Sequence, residues 1–462
     1  MEEAYAGLSG DLRTEASGRP LYLRLAERLA ATLAAGGPEL PPARTLAADL
    51  GLNRATVTAA YRELARQGLV VLRPGRPGRR PRERTHAGEA FEAPPASTLD
   101  LARYVPDSSL LPEGKVLRWL GFGGGEGESV AQYGDAHGYP PLREWLQQRL
   151  RGWGIAAASE DILLTAGVQH GLDLLLRALA RPGDAVLVED PTYPGLPPLL
   201  AIHRLRAVGV PLRRAGLAAE DVAERVRRER PRLAVLTPTL QNPSGTVLAD
   251  GTRDAILGCL RAAGVTVIEE LFDPGLVTHG KVPRPLAARD PGVIAVSSFS
   301  KVLFPGLRVG WVTGPRETVA RLAAVKRATD LSGSAFLEAT ALSLCRRGQL
   351  EAQTARLRGA AAARFAIVAE ELARAGDGMG WSEPRGGFSV LLELPAGIGS
   401  RAVAARAAAA GVWVLPGPQM SVSGRDDVLR LAYAAVGGER LRAGVARLLE
   451  AIAAPASMLA MV

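Results

Sequence analysis

Apolar residues near the N-terminal end of the chain recur at the spacing of amphipathic helices. Leucines four residues apart over residues 21–35 predict a first helix. A pair of prolines introduces a second helix, ARTLAADL, which Gly51 ends, and Asn53 caps a third, RATVTAAYRELARQG. A strand and turn, LVVLRPG, come next. Because a tight glycine turn joins the two later helices, residues 1–72 are predicted to form a helix-turn-helix unit.

The stretch of residues 73–97 has no periodic apolar positions and is rich in Pro, Gly and Arg, which is typical of a linker. Its first twelve residues hold six arginines and one glutamate. A flexible basic tether would add salt-dependent affinity for any DNA duplex. A solvated spacer is the equally weighted alternative.

From about residue 98 the hydrophobic pattern changes to short apolar runs that alternate with helical stretches. The runs are ILLTAG, AVLVED, LAVLTPT, VTVIEE and VIAVSSF, and their alternation predicts a mostly parallel sheet covered by helices on both faces. A long helical region, residues 334–375, leads to a smaller unit with strands GGFSVLLEL, GVWVLPG and VLRLAYAA. We therefore predict a second domain of residues 98–462, with a large subdomain of about 98–330 and a small one of about 375–455.

Composition indicates the class of protein, its partner and its expected compartment. Of the 462 residues 47% are apolar and 22% charged, as in a soluble globular protein, and the formal charge of +9 fits a nucleic-acid partner. Cys259 and Cys345 are far apart without metal-ligand spacing, so a reducing cytoplasm is expected. Neither the acidic N-terminal sequence nor any apolar run indicates a signal peptide or membrane segment. The five histidines show no metal spacing, so no metal is predicted.

The turn after VIAVSSF carries the lysine with the clearest chemical role, Lys301. Only four lysines occur among the 56 lysines and arginines of the chain. A desolvated lysine amine forms a Schiff base, whereas a guanidinium stays protonated and does not. Ser298, Ser300 and Arg308 supply two hydroxyls and a planar cation that can converge on a phosphate. A lysine nucleophile beside a phosphate site indicates pyridoxal phosphate; the alternative is a surface lysine in an ordinary turn.

Other polar residues also follow predicted strands, where open α/β sheets bind ligands. In ILLTAGVQHGL a strand turns into a helix, so the amides of Val168 and Gln169 would point toward a bound anion. Tyr193 follows the next strand in VEDPTYPG, and Asn242 follows another in TPTLQNPSG. Glu270 lies at the end of VTVIEE.

These motifs resemble two known families. SSFSKVLFPGLRVGW resembles the lysine segment of fold-type I, class I/II aminotransferases, and LPPARTLAADLGLNRATVTAAYRELARQGLV resembles a GntR-type winged helix. Over roughly residues 19–450 the chain resembles the MocR subfamily of bacterial transcription regulators. The resemblance implies a winged helix followed by an α/β fold of the pyridoxal-phosphate-dependent transferase type, and an active site shared across a homodimer.

The resemblance also implies roles for individual residues. Lys301 would hold the cofactor, Tyr193 would stack on its pyridine ring, and Asn242 would hydrogen-bond the ring hydroxyl. Tyr133, in QYGDAHGYPPLREWL, would reach the phosphate of the neighbouring subunit. Arg430 would bind the α-carboxylate of an amino-acid ligand in a bidentate pair; otherwise it is a surface arginine on a strand.

The segment VIEELFDPGL departs from the aminotransferase pattern. The family has an aspartate here that pairs with the pyridine nitrogen, and a tyrosine follows shortly after. This chain has Glu270 at the aspartate position, and Phe272 or Asp273 where the tyrosine should be. We expect cofactor binding to survive and efficient transamination to be impaired, since misplacement by about an ångström can cost about a hundredfold in rate. Asp273 is an alternative source of the acid.

The N-terminal helices contain the predicted DNA contacts. Residues Val57, Tyr61 and Leu64 are expected to face inward, which leaves the N-terminal end of the third helix free to meet DNA. By the GntR resemblance, the contacting residues are Arg44, Arg54 and Thr56, with Asn53 nearby. A unit that mediates only protein contacts is the alternative.

Three functions follow from these observations. The leading expectation is a cytoplasmic transcription regulator that binds double-stranded operator DNA, dimerises, and senses an amino compound or pyridoxal phosphate itself. The second is an active aminotransferase, which Asn242 and Arg430 favour and Glu270 disfavours. The third is a pseudoenzyme in which Lys301 no longer holds cofactor.

Overall fold

The computed structural model describes residues 20–34, 40–66, 98–111, 132–375 and 378–454, together with residues 70 and 130. The chain forms two compact units, Met1–His86 and Ala87–Val462, whose boundary falls within the stretch predicted as a linker. The first unit has a hydrophobic core of its own.

The described part of the first unit contains three helices, as predicted: α1 (Leu21–Ala34), α2 (Ala43–Leu50) and α3 (Arg54–Arg66). Leucines of α1 and α2 pack against one face of α3, whose buried side chains include the predicted Val57, Tyr61 and Leu64. The helices therefore form one core from their apolar faces. The predicted wing LVVLRPG lies outside the described residues, apart from Val70, which is buried in this core.

The turn between α2 and α3 has the expected helix-turn-helix chemistry. Gly51 ends α2 with φ of 59°, a left-handed conformation that glycine adopts without strain. Asn53 Oδ1 accepts a hydrogen bond from Ala55 N at 2.8 Å and so caps α3. Arg54 and Ala55 are exposed, and Thr58 is half-buried with its hydroxyl donating to the Arg54 carbonyl at 2.8 Å.

Seven strands form the main sheet of the second unit, and four of the five predicted runs form its parallel centre. The strands are β2 (Ile162–Thr165), β3 (Ala185–Asp190), β4 (Arg206–Pro211), β5 (Leu233–Leu236), β6 (Thr266–Glu270), β7 (Ile294–Ser298) and β8 (Gly310–Thr313). Their order is β2-β8-β7-β6-β5-β3-β4. The five strands β3, β4, β5, β6 and β7 are parallel to one another. The strand β8 runs antiparallel to both its neighbours, β2 and β7.

Helices cover both faces of this sheet because its strands are apolar on both sides. Along β3, Val186 and Val188 enter one core and Leu187 enters the other. The covering and connecting helices are α4 (Pro140–Gly152), α5 (Val168–Leu179), α6 (Leu196–Ile202), α7 (Ala219–Glu229), α8 (Asp250–Ala262) and α9 (Arg316–Asp330).

The predicted long helical region is two helices, α10 (Ala335–Arg346) and α11 (Gln349–Arg374). The break falls at Gly348, which has φ of 69°. The small subdomain follows, with an antiparallel sheet and two helices. They are β9 (Gly380–Trp381), β10 (Ser389–Glu393), β12 (Leu415–Pro416), β13 (Val428–Ala432), α12 (Ser400–Ala409) and α13 (Gly438–Ala453).

One boundary differs from the sequence prediction. The short strand β1 (Leu99–Asp100) pairs in parallel with β11 (Val412–Trp413), so residues 99–100 belong to the small subdomain although they were assigned to the large one. The sequence could not indicate this, because the position of a two-residue strand depends on the strand it pairs with, and that strand lies more than three hundred residues away in the chain. Residues 98–111 therefore enter the second unit on the small-subdomain side.

Neither a membrane span nor a metal cluster is found within the described ranges. None of the helices there is long and apolar enough to cross a bilayer. No group of three or more histidine, cysteine or carboxylate side chains in the same ranges could hold a metal ion.

Candidate cofactor and ligand site

A cavity of about 210 Å³ lies at the carboxyl ends of the parallel strands. It brings together the residues that the sequence predicted for the cofactor, with the exception of Tyr133. The lining residues with polar or aromatic side chains are Gln169, Tyr193, Asn242, Glu270, Phe272, Asp273, Ser297, Ser298, Ser300, Lys301 and Arg308, and Val168 completes the set predicted from the sequence.

A larger groove, about 270 Å³, lies along the edge strand β4. Its charged residues include Asp190, Arg206, Arg425 and Glu229. Arg206 binds Glu229, Asp190 accepts from the Val422 backbone N–H, and Arg425 binds Asp427. It contains no lysine and no helix N-terminus that could hold a phosphate. The chemistry therefore places the site in the smaller cavity.

The phosphate end of the cavity is formed by the start of α5 and the loop after β7. Gly167 precedes α5 with φ of 88°, and a Cβ there would lie 3.0 Å from the Arg308 guanidinium. Glycine thus allows Arg308 to approach the helix N-terminus, where its Nη2 donates to the Ala166 carbonyl at 2.6 Å. The buried Ser300 hydroxyl has no hydrogen-bond partner among the described residues. Free amides, an unpaired hydroxyl and a guanidinium fit a phosphate monoester.

Lys301 ends a short 3₁₀ turn, Phe299–Lys301, directly after β7. Its Nζ donates to the carbonyl oxygen of Tyr104 at 2.6 Å. Burial lowers the pKa of Lys301 to about 8, with a further lowering from the cation of Arg430 and an opposing effect of the Glu270 carboxylate. A larger share of the amine is therefore neutral at physiological pH than in an exposed lysine, which suits a nucleophile.

This lowered pKa predicts how cofactor attachment depends on pH. We expect the rate of Schiff-base formation between Lys301 and pyridoxal phosphate to rise about tenfold per pH unit below pH 8 and to level off above it, because only the neutral amine reacts. An ordinary lysine would give a rate that rises to about pH 10.4. Stopped-flow absorbance over pH 6–10.5 distinguishes the two, and a continued rise above pH 9 would contradict the assignment.

Tyr193 and Asn242 line the cavity between the phosphate end and the small subdomain. Tyr193 is half-buried, and a Cβ at Gly195 would lie 2.6 Å from its ring, so the glycine gives the ring its space. Asn242 Oδ1 accepts a hydrogen bond from Arg430 Nη1 at 3.0 Å. The predicted ring-hydroxyl residue and the predicted carboxylate residue are therefore neighbours, although 188 positions separate them.

Glu270 ends β6 with its side chain buried in the cavity wall. Burial raises its pKa to about 7, and the carboxylate of Glu189 raises it further, against the opposing effect of Lys301. Thr237 Oγ1 donates to Glu270 Oε2 at 3.4 Å. A carboxyl group at this depth can hold a proton on a pyridine nitrogen, as the sequence position predicts.

Asp273 is engaged elsewhere. Its Oδ1 accepts from Gly275 N at 2.8 Å, and its Oδ2 binds Arg149 Nη2 at 2.5 Å. These contacts hold the 3₁₀ turn that follows β6 and disfavour the alternative in which Asp273 supplies the acid. Phe272 has no hydroxyl to replace the family tyrosine, and its ring packs edge-on against Tyr104 with centroids 5.8 Å apart.

Two further residues of the site were missed by the sequence analysis. Glu189 accepts from Thr237 N at 3.0 Å and from Gln241 Nε2 at 2.9 Å, and burial raises its pKa to about 7. A charged pair at the end of a buried strand, VED, was the available signal. Tyr104 lies in LARYVPDSS, which carries no motif that points to the cavity, so only tertiary structure could place it there.

Tyr133 lies outside the cavity of its own chain and is 89% exposed. That position accords with a side chain that serves another subunit, but its role stays a prediction. On the first unit, Arg44, Asn53 and Arg54 are exposed and Thr56 is half-buried around the α2–α3 turn. Their contacts with DNA also stay predictions.

The fold and the cavity together define a protein of the pyridoxal-phosphate-dependent transferase class, preceded by a helix-turn-helix unit. Residues 115–448 match the family "Aminotransferase class I and II", and residues 19–78 match "Bacterial regulatory proteins, gntR family". The chain belongs to the class I and II aminotransferase family and carries a GntR-type N-terminal domain. This is the MocR arrangement that the sequence predicted, and pyridoxal phosphate is the cofactor that the family implies.

Proteins similar to this chain include both aminotransferases and transcription regulators. The 2-aminoadipate transaminase of Thermus thermophilus is 31% identical over 332 residues, which cover 70% of this chain and 82% of that protein. The uncharacterized HTH-type transcriptional regulator YjiR of Escherichia coli is 26% identical over 468 residues, covering 93% and 97%. The crystal structure of LysN from T. thermophilus, complexed with N-(5'-phosphopyridoxyl)-L-leucine, has a TM-score of 0.71 and 28% identity, covering 79% and 94%. The two-part architecture is therefore that of a DNA-binding transcription regulator and not of an aminotransferase alone.

Proposed function

We propose that the chain is a transcription regulator that binds operator DNA through α2 and α3 and holds pyridoxal phosphate at Lys301 as part of a sensor for a carboxylate-bearing amine. The observation that carries the proposal is a cavity that joins Lys301 to the predicted phosphate-binding residues, with glutamate at the acid position, in the same chain as a GntR-type unit. The transaminase relatives support an amino compound as ligand.

Each residue of the cavity has a role in this proposal. The cofactor supplies an aldehyde that condenses with amines and a ring that withdraws electrons. Lys301 Nζ would provide the amine, and Ser300, Arg308 and the first amides of α5 would bind the phosphate. Tyr193 would pack on the ring, Asn242 would hydrogen-bond its hydroxyl, and Glu270 would hold a proton at its nitrogen. Arg430 orients the ligand by pairing with its carboxylate.

A second copy of the chain is the partner that we infer. Tyr133, Leu331 and Phe336 are exposed by 89%, 61% and 41%. The first two lie on adjacent loops, because a Cβ at Gly134 would lie 3.9 Å from Ser332 Cβ. Exposed apolar side chains of this size are covered in a homodimer, and Tyr133 would then be available to the neighbouring cavity. Such a regulator would act in the cytoplasm.

DNA binding by the full chain is the test of this function. We expect selection from a random-sequence duplex library to yield a defined site, and fluorescence anisotropy to show that Arg54→Ala weakens binding by about tenfold or more, because a base-reading arginine contributes roughly 1–3 kcal/mol. Arg358→Ala removes the same charge from the exposed surface of α11 and should leave affinity within about threefold. Absence of any enriched site, or equal losses in both variants, would contradict the proposal.

An active aminotransferase is the second candidate. The contact of Asn242 with Arg430 and the lowered pKa of Lys301 favour it, because both are useful for amino-acid chemistry. An amino-transfer assay with a panel of amino acids and 2-oxo acids separates an enzyme from a sensor. Turnover at rates typical of enzymes, above about 1 s⁻¹, would favour the enzyme.

A further inference from the structure

Tyr104 occupies the space between the two cationic groups on which the proposed ligand depends. Its ring centroid lies 5.2 Å from Lys301 Nζ and 5.7 Å from Arg430 Cζ. The rings of Phe272 and Phe388 pack against it, with centroids 5.8 and 5.3 Å away. The tyrosine is almost fully buried, so its ring fills space inside the site and does not lie at the rim.

The backbone around Tyr104 also binds both cationic groups. Lys301 Nζ donates to the Tyr104 carbonyl at 2.6 Å, and Arg430 Nη2 donates to the Ala102 carbonyl at 2.5 Å. Arg430 Nη1 is bound to Asn242, while its buried Nε has no partner among the described residues. The guanidinium is therefore covered by a ring and bonded to protein acceptors.

The ends of this segment are anchored, which leaves the side chain as its movable part. Leu101 exchanges hydrogen bonds with Trp413 and Ala432 of the small subdomain, each at 2.8 Å. Asp107 N donates to the Ala434 carbonyl at 2.7 Å, and Arg364 Nη2 binds the Asp107 carboxylate at 2.8 Å. The Tyr104 side chain, in contrast, is held by ring contacts with Phe272 and Phe388 and by the contact of its hydroxyl with the Phe388 backbone, so a ligand that displaces the ring replaces only these contacts.

We propose that Tyr104 selects ligands at this site: its ring closes the carboxylate position at Arg430, and a carboxylate-bearing amine binds only by displacing it. An amine without a carboxylate does not need Arg430 and is not subject to this competition. Tyr104 therefore lowers the affinity of the site for amino acids relative to its affinity for simple amines. This inference rests on the proposed function, because it requires cofactor at Lys301.

L-Alanine and ethylamine are a matched pair of probes, since they differ by the carboxylate. Both are titrated into the full-length, cofactor-loaded protein, and binding is followed by the change in the cofactor absorption band that depends on Lys301. We expect Tyr104→Ala to tighten binding of L-alanine about tenfold, the size of one buried cation–π contact, and to leave ethylamine within about twofold. Tyr104→Phe keeps the ring and should behave as the unchanged protein does.

Arg430 provides the internal control for this experiment. In the double variant Tyr104→Ala, Arg430→Ala the gain for L-alanine should disappear, because the carboxylate then has no guanidinium to reach. Tyr104→Leu retains apolar contact with Phe272 and Phe388 while removing the ring, and it decides the question if Tyr104→Ala does not fold. In Tyr104→Leu, as in Tyr104→Ala, the affinity for L-alanine relative to ethylamine should be higher than in the unchanged protein.

Two outcomes would overturn the inference. One is an unchanged ratio of L-alanine to ethylamine affinity in Tyr104→Ala or Tyr104→Leu with a normal Lys301-dependent band. The other is an equal gain for both amines, which would show that the ring merely narrows the cavity. A protein that shows no Lys301-dependent band at all contradicts the proposed cofactor site itself, so the two failures are distinguishable.

Discussion

Lys301→Ala is expected to abolish covalent attachment of pyridoxal phosphate, which would then leave the protein on gel filtration. Lys301 is the lysine that lines the cavity within the described residues, and it lies beside the unpaired Ser300 hydroxyl and Arg308. No other side chain there offers an amine for a Schiff base. The measurement is the absorption spectrum of the protein with added cofactor, before and after removal of the free compound.

Lys281→Ala is the matched control, because the Lys281 side chain is 86% exposed and outside the cavity. It should retain the full absorption band. A band that persists in Lys301→Ala would show that cofactor attaches elsewhere. A band absent from the unchanged protein at saturating cofactor would favour the pseudoenzyme, in which the second unit serves only for assembly.

Glu270→Gln is expected to slow exchange of the bound cofactor onto an amino acid by about a hundredfold, the usual scale for removal of one electrostatic contact at a reacting centre. Glutamine has nearly the same shape as glutamate but cannot hold a proton at the pyridine nitrogen by charge. The buried neighbours Glu189 and Thr237 remain in place, so the change is confined to one carboxyl group. Single-turnover absorbance with L-alanine gives the rate.

Glu270→Asp separates charge from length at the same position. It retains the carboxylate and shortens the side chain by one methylene, so we expect a rate within about tenfold of the unchanged protein. A hundredfold loss in Glu270→Asp as well would show that the position of the carboxyl group matters as much as its charge. Equal rates in all three proteins would exclude Glu270 from the chemistry and leave its burial without a functional role.

The position of Glu270 in the cavity wall illustrates what sequence order alone can predict. Most residues predicted for the cofactor lie at or directly after the end of a strand, and the carboxyl ends of parallel strands meet at one edge of a sheet. The order of runs from ILLTAG to VIAVSSF therefore predicts that Val168, Tyr193, Asn242, Glu270 and Lys301 lie in one region. The helix boundaries of the first unit followed in the same way from apolar spacing, a proline pair and a glycine.

Contacts between distant parts of the chain had no such local signal. The pairing of β1 with β11 assigns residues 99–100 to the small subdomain. The bond of Asp273 to Arg149 takes that carboxylate away from the acid position, where the sequence alone left both Glu270 and Asp273 open. In each case the partner lies more than a hundred residues away, and no period or motif encodes it.

The sequence by itself thus determined the two-part architecture, the position of Lys301 at the end of a strand, and the turn predicted to bind phosphate. Helix caps, strand runs and turn residues act over a few neighbouring positions, so the local sequence is enough to indicate them. Tertiary structure alone decided that Tyr104 lies between Lys301 and Arg430 and that Asn242 binds Arg430. The physical reason is that a cavity is formed by the side chains of separate segments, and its shape and charge exist only when the core has brought those segments together.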